Sequence, residues 1–222
     1  MSQEPPPAPP ADESKSAALW RAAFALRELI FSRRGQIIST ASEIEGMVDG
    51  VICTFFVSTD LIALFRIYVL ARIQLSGKLD VLSDMTKLIG LSNEVQDGLR
   101  RLRRVSDLRN ELAHSSVTFN PNVHIISAAT LEEFTQFHSW KVSRRGVSMA
   151  RIEADQLARQ VRFVEAAQVE ALRIHVAFID RRAGTDPRAA LATFDAANAA
   201  ALREIEALEG SIWPDKGKSR TP

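Results

Sequence analysis

Cysteine is almost absent from this chain. Cys53 is the single one in 222 residues, so no internal disulfide can form. It sits in the apolar run Val51-Ile52-Cys53-Thr54-Phe55-Phe56-Val57 and reads as a small buried hydrophobe, which fits a reducing, cytoplasmic setting. Histidine is scarce too: His124, His138 and His175 make no metal-ligand spacing with each other or with the cysteine, so no metal and no cofactor is implied. No glycine loop of the phosphate-cradling or dinucleotide kind occurs, and no nucleophile elbow. Charge of one sign is missing as well. The net value of +1 leaves no global basic field, so any nucleic-acid surface must be local.

Long apolar runs are also lacking. The most hydrophobic window, Leu61 to Leu75, is interrupted by Arg66 and Arg72 and falls short of the ~20 apolar residues a bilayer demands. It is expected to be a buried helix, and no membrane partner is expected. The N-terminus opens on Pro5-Pro6-Pro7 and Pro9-Pro10, with no basic patch and apolar stretch of a secretory signal. Residues 1–15 read as a disordered proline-rich tail, 16–208 as one domain and 209–222 as a C-terminal tail.

With 46% hydrophobic residues, the chain can bury a core, and the fold class expected is mainly all-α. Apolar spacing predicts helices over Ser16 to Ser32, ended by Arg33-Arg34-Gly35, and over Gln36 to Val57. Further helices are predicted at Leu61 to Gln74, capped by Ser58-Thr59-Asp60, then at Lys78 to Ile89 and Ser92 to His114. Between Asn122 and Ile152 the period shifts to alternation, which predicts a small β-hairpin or three-stranded insertion. Its segments are Val123 to Ile126, Phe137 to Val142 and Val147 to Ile152, the last two flanking Arg144-Arg145-Gly146. A long helix over Glu153 to Arg181 carries the stripe Leu157, Val161, Val164, Gln168, Leu172, Val176 and Ile179. The last helix, Pro187 to Leu208, is interrupted at Asn198 and opens on the cap Asp186-Pro187.

Chemistry concentrates in Arg109-Asn110-Glu111-Leu112-Ala113-His114, at the end of the fifth predicted helix. Arginine keeps its charge and matches phosphate oxygens with a planar fork, and histidine takes or gives a proton near neutral pH. Such a set suits phosphodiester cleavage without a metal. Just upstream runs Leu99-Arg100-Arg101-Leu102-Arg103-Arg104, whose arginines lie off the apolar stripe of Leu102, Val105, Leu108 and Leu112.

The R-N-x-x-A-H spacing resembles the signature of the HEPN superfamily, helical proteins of prokaryotic defence and toxin systems, many of them metal-independent ribonucleases. The resemblance spans roughly residues 36 to 180, with Glu43, Glu45 and Asp49 upstream and Gly77 to Leu82 between. It implies an endoribonuclease in which His114 handles the proton of the ribose 2′-hydroxyl or of the leaving 5′-oxygen. Arg109 would stabilise the phosphate, Asn110 would position the phosphate or the imidazole, and Arg100, Arg101, Arg103 and Arg104 would hold the RNA backbone. It further implies a homodimer and an antitoxin or other regulatory protein as partner. In some members a tyrosine two positions after the histidine is modified. Ser116 stands there, and the one tyrosine is Tyr68.

Residues five apart on a helix diverge by about 140°. Arg109 and His114 therefore favour a composite cleft made by two copies, with an interface that includes the helix ending at His114. The plain readings are an ion pair from Arg109 to Asp107 or Glu111, a helix C-terminal role for His114, a solvated face for the arginine run, and a wet face for Glu43, Glu45 and Asp49. The competing class is a non-catalytic HEPN-like module for dimerisation or partner binding. A helix-turn-helix DNA binder finds no compact helix pair to support it.

Overall fold

The computed structural model describes residues 11–114, 116–119, 137–143, 146–152 and 154–213, and these are mostly helical. They fall into two compact units. The larger comprises Arg34–Ala113 and Ala158–Pro222, and the smaller Met1–Arg33 and His114–Leu157.

Helix α1 runs unbroken over Ala11–Phe56, through the predicted break at Arg33-Arg34-Gly35 and into the stretch read as a tail. A glycine inside a helix costs only about 1 kcal/mol. Against it, Ile30, Ile37, Ile44 and Val51 recur every seven residues and are all buried, each contributing about 1.5–3 kcal/mol. Packing decides the outcome, and the two helices expected are one.

In the larger unit, α5 (Ala154–Ala183) runs alongside α1 in the same direction. Gln36 donates to Glu165 over 2.6 Å, Gln168 to Glu43 over 2.8 Å, and the rings of Phe55 and Phe178 meet edge to face at 5.7 Å. Helix α4 (Ser92–His114) takes the opposite direction, since Arg173 bonds the Glu94 carbonyl near its start and Glu170 bonds Arg101 further along. Between α1 and α4 lies α3 (Leu75–Leu88), ended by Gly90 at φ +73°, where Leu91 N–H closes on the Thr86 carbonyl at 2.9 Å. Gly184, at φ +78°, ends α5 in the same way, with Thr185 N–H on the Asp180 carbonyl.

The predicted final helix is two, α6 (Pro187–Ala197) and α7 (Ala199–Ile212). Asp186 accepts from Arg188 N–H as its cap at 3.0 Å, and Asn198, whose side-chain amide bonds the Phe194 carbonyl, stands at the joint. The expected stripe of α5 holds in its first half, where Leu157, Val161 and Val164 are buried, and drifts in the second, where Ala171, Ile174 and Phe178 are buried whereas Leu172 and Ile179 are exposed.

The segment expected as a buried helix over Leu61 to Gln74 is a short α2 (Ile62–Tyr68) flanked by 3-10 turns at Thr59–Leu61 and Leu70–Arg72. No residue of α2 is buried. Leu70 alone in this stretch goes into the core.

In the smaller unit the backbone pairs β1 (Ser116–Phe119), β2 (Phe137–Ser143) and β3 (Gly146–Ile152) in an antiparallel sheet of that order. Ser116 lies opposite Trp140 and Phe137 opposite Ile152. The strand expected at Val123 to Ile126 falls outside the described residues. Arg33 donates to the Ala154 carbonyl at 2.5 Å, fastening α1 to the start of α5.

Leu102, fully buried, and Leu88, 76% exposed, make a matched pair for denaturant unfolding. Leu102→Ala should cost about 2–5 kcal/mol through the cavity it leaves, and Leu88→Ala less than ~0.5 kcal/mol.

Candidate functional site at the end of helix α4

Leu102, Val105, Leu108 and Leu112 are buried along one stripe of α4, which leaves Arg109 and Asn110 half-buried on its flank and His114 exposed as its last residue. Arg34 of α1 donates to the Leu112 carbonyl at 2.5 Å and so anchors the final turn. Burial pushes the Arg34 guanidinium below the ordinary arginine value.

Arg109 Nη1 donates to Asn110 Oδ1 at 3.0 Å. Among the described residues no ion pair ties Arg109 to Asp107 or Glu111. Asn110 and His114, four apart on one helix, share a ridge. Arg109 and Asn110 belong to the larger unit, and His114 opens the second segment of the smaller. At the C-terminal turn of α4 an imidazole is also where the helix dipole favours a cation.

The arginine run divides into buried and exposed positions. Arg101 is 9% exposed and donates from Nη1 to Glu170 Oε1 at 2.5 Å and from Nε to Glu209 Oε2 at 3.0 Å. Burial works against its charge, but these two carboxylates more than reverse the effect and raise its pKa above the ordinary value. Arg104 reaches Glu209 Oε1 at 2.8 Å and lies over the Trp213 ring at 5.1 Å, and that ring packs edge to face on Phe163. Arg100 pairs with Asp97 and Glu209, and Arg103 with Asp80 at 2.7 Å. Arg101 and Arg104 therefore join α4 to α5 and α7 inside the larger unit. Their guanidiniums are held as internal braces and not on the solvated face expected, while Arg100 and Arg103 are exposed.

A second buried charge was not foreseen. Lys78 Nζ sits between Glu45 Oε1 at 2.7 Å and Asp49 Oδ1 at 2.9 Å, so these two acids grip α3 and do not form a wet face. Burial would lower the Lys78 pKa, and the two carboxylates more than reverse it. Glu43, by contrast, is exposed. Nearby, the Cys53 thiol is pushed up by burial, with the Arg66 guanidinium opposing. Gly50 lies at the same corner, and a Cβ there would make only ordinary contacts, 3.6 Å from Arg66 and 3.7 Å from His175. The sequence signal for Lys78 was its place on the apolar side of α3, in register with Leu75, Leu79, Leu82 and Met85.

Among the described residues, no group of three or more His, Cys, Asp or Glu could hold a metal ion, and no helix is long and apolar enough to cross a membrane. His124 lies outside the described residues. No protein-family model matches the chain, no curated protein matches it, and no solved structure matches it.

Arg101→Ala strands Glu170, whose side chain is 2% exposed. Denaturant unfolding should report a loss of about 3–5 kcal/mol for it. Arg103→Ala, at an exposed pair, should change stability by less than ~0.5 kcal/mol. Desolvation lowers the His175 pKa, so the folded protein holds this imidazole neutral. Its contribution is present above the unfolded value of ~6.5 and is lost as pH falls from there through the lowered folded value. Melting curves between pH 7 and 5 should show that loss, and it should be flatter in His175→Gln.

Proposed function

We propose that the chain is a HEPN-like helical domain, with the sheet of the smaller unit as its insertion. In this reading it is a metal-independent endoribonuclease of a defence or toxin system, held in check by an antitoxin or other regulatory protein. The observation that carries the reading is the combination at the end of α4: an exposed His114 follows, on one ridge, an asparagine already bonded to an arginine. Lone catalytic-type residues are common on surfaces. An acid/base group, an amide and a fixed cation grouped on the pinned last turn of one helix are less so.

The ribose 2′-oxygen attacks the adjacent phosphorus, a 2′-O–P bond forms and the P–O5′ bond breaks. The His114 imidazole accepts the 2′-hydroxyl proton and returns it to the departing 5′-oxygen, so no net proton is needed. Arg109 faces the charge that builds on the nonbridging phosphate oxygens, and Asn110 fixes the direction of the guanidinium. The products are a 2′,3′-cyclic phosphate and a 5′-hydroxyl. DNA, which lacks the nucleophile, stays intact. Of the arginine run, Arg100 and Arg103 remain exposed enough to meet the RNA backbone.

A non-catalytic dimerisation module is the second reading, and the uncovered apolar surface of α2 favours it. Incubation of the purified chain with total RNA in EDTA separates the two. The ribonuclease cleaves, leaves cyclic phosphate ends, and loses roughly 10²-fold or more in rate in His114→Ala, with a comparable loss in Arg109→Ala. Because His114 is exposed, its removal should leave the melting temperature unchanged within error. Uncut RNA with the intact chain would favour the module.

A further inference from the structure

A surface helix ordinarily turns its charged side to water and its apolar side to the core. Helix α2 does the reverse. At about 100° per residue, Ala63, Leu64, Ile67 and Tyr68 fall within one arc of roughly 140°. All four are exposed, Ile67 and Tyr68 at 63% each. Ile62 and Phe65, both half-buried, share the opposite side with Arg66. Arg66 is the one charged residue of α2, and its Nη2 donates to the Gly46 carbonyl of α1 at 3.2 Å. The helix is thus fastened by its charge and presents an uncharged, apolar face outward.

Arg66 and His175 both border Gly50, which sets α2 against α1 and α5 together. Those two helices end at a common cleft of about 340 Å³, walled by Phe55 and Phe56 from α1 and by Phe178, Arg181 and Arg182 from α5. Both arginines are exposed, and Arg182 also donates to the Thr54 carbonyl at 3.2 Å. Apolar walls with cations among them suit an anionic group on an apolar body.

Charge decides between protein and lipid as the cover. Beside the apolar face stand Arg72, just after α2, and the two arginines of the cleft, against the single acid Asp60 just before it. A second copy would bring the same excess of cations to the same place, where like charges oppose docking. An anionic bilayer surface attracts each of them. No helix among the described residues is long and apolar enough to cross a membrane, but an in-plane helix needs only to reach ~5–10 Å into the boundary of headgroups and acyl chains. Tyrosine collects at that boundary, and Tyr68 lies on the outward arc.

We propose that the α2 face of the larger unit docks on an anionic lipid bilayer. Leu64, Ile67 and Tyr68 enter the acyl boundary, and Arg181 and Arg182 take a lipid phosphate at the mouth of the cleft. Arg34, which anchors the last turn of α4, and Phe56, at this face, are separated along α1 by roughly 33 Å at ~1.5 Å per residue. The bilayer contact is therefore distant from that turn, and the inference stands independently of the ribonuclease reading.

Flotation of the full chain with vesicles tests it. The parent should float with vesicles of equal parts phosphatidylcholine and phosphatidylserine, and bind pure phosphatidylcholine at least about tenfold more weakly. Leu64→Glu with Ile67→Glu should weaken binding by roughly 100-fold or more, with helical circular dichroism retained because both side chains are exposed. Arg181→Glu with Arg182→Glu should weaken it by about tenfold or more. Leu88→Glu, which alters an exposed leucine at the far end of α3, should leave it unchanged. A parent that stays unbound, that binds neutral vesicles equally well, or that ignores either pair of substitutions overturns the proposal. So does a chain that sediments as a dimer without binding vesicles and loses the dimer in Leu64→Glu with Ile67→Glu, which assigns the face to a second copy.

Discussion

The larger unit depends on one buried guanidinium. Arg101 reaches Glu170 on α5 and Glu209 on α7 at once, so α4 takes its orientation from two carboxylates separated from it by 69 and 108 residues of sequence. A charge so deeply placed is costly unless its partners are complete. Here both contacts are short, and Arg104 adds a second cation to Glu209 beside the edge-to-face pair of Trp213 and Phe163. The net contribution to stability of such a cluster is small compared with the cost of breaking it. What it provides is a single register for α4 against its neighbours.

That register explains why the final turn of α4 is presented as it is. With Leu108 and Leu112 committed to the core and Arg34 bonded to the Leu112 carbonyl, the helix cannot roll to bury His114 without surrendering both. Arg109 and Asn110 stay on the flank, bonded to each other. The buried cluster thereby fixes the helix that carries Arg109 and Asn110 within the larger unit. Lys78 does comparable work for α3, pinned between Glu45 and Asp49 on α1.

The α4 helix and its motif were legible in the sequence, because an amphipathic stripe and a polar hexapeptide are local signals. The start of α6 was legible for the same reason, through Asp186 and Pro187. What escaped were decisions made by distant residues. The arginine run reads as solvated until Glu170 and Glu209 arrive from elsewhere in the chain. The Arg33-Arg34-Gly35 break reads as a stop because the heptad of Ile30, Ile37, Ile44 and Val51 outweighs one glycine only when all four are buried. The Leu61 to Leu75 window was expected in the core on hydrophobicity alone. Apolar composition demands cover but does not say what supplies it.

The reading proposed for this protein puts RNA at Arg109 and His114 near the end of α4, with the exposed Arg100 and Arg103 free to meet its backbone and Arg101 and Arg104 taking no part. Nitrogen-resolved NMR of the arginine and histidine side chains, during titration with a short 2′-O-methyl RNA that cannot be cleaved, tests this directly. The account predicts that the Arg109 guanidinium and the His114 imidazole shift together while Arg101 and Arg104 stay in place. Shifts centred on Arg101 and Arg104 with His114 unmoved, or no shift at any of these residues, would contradict it.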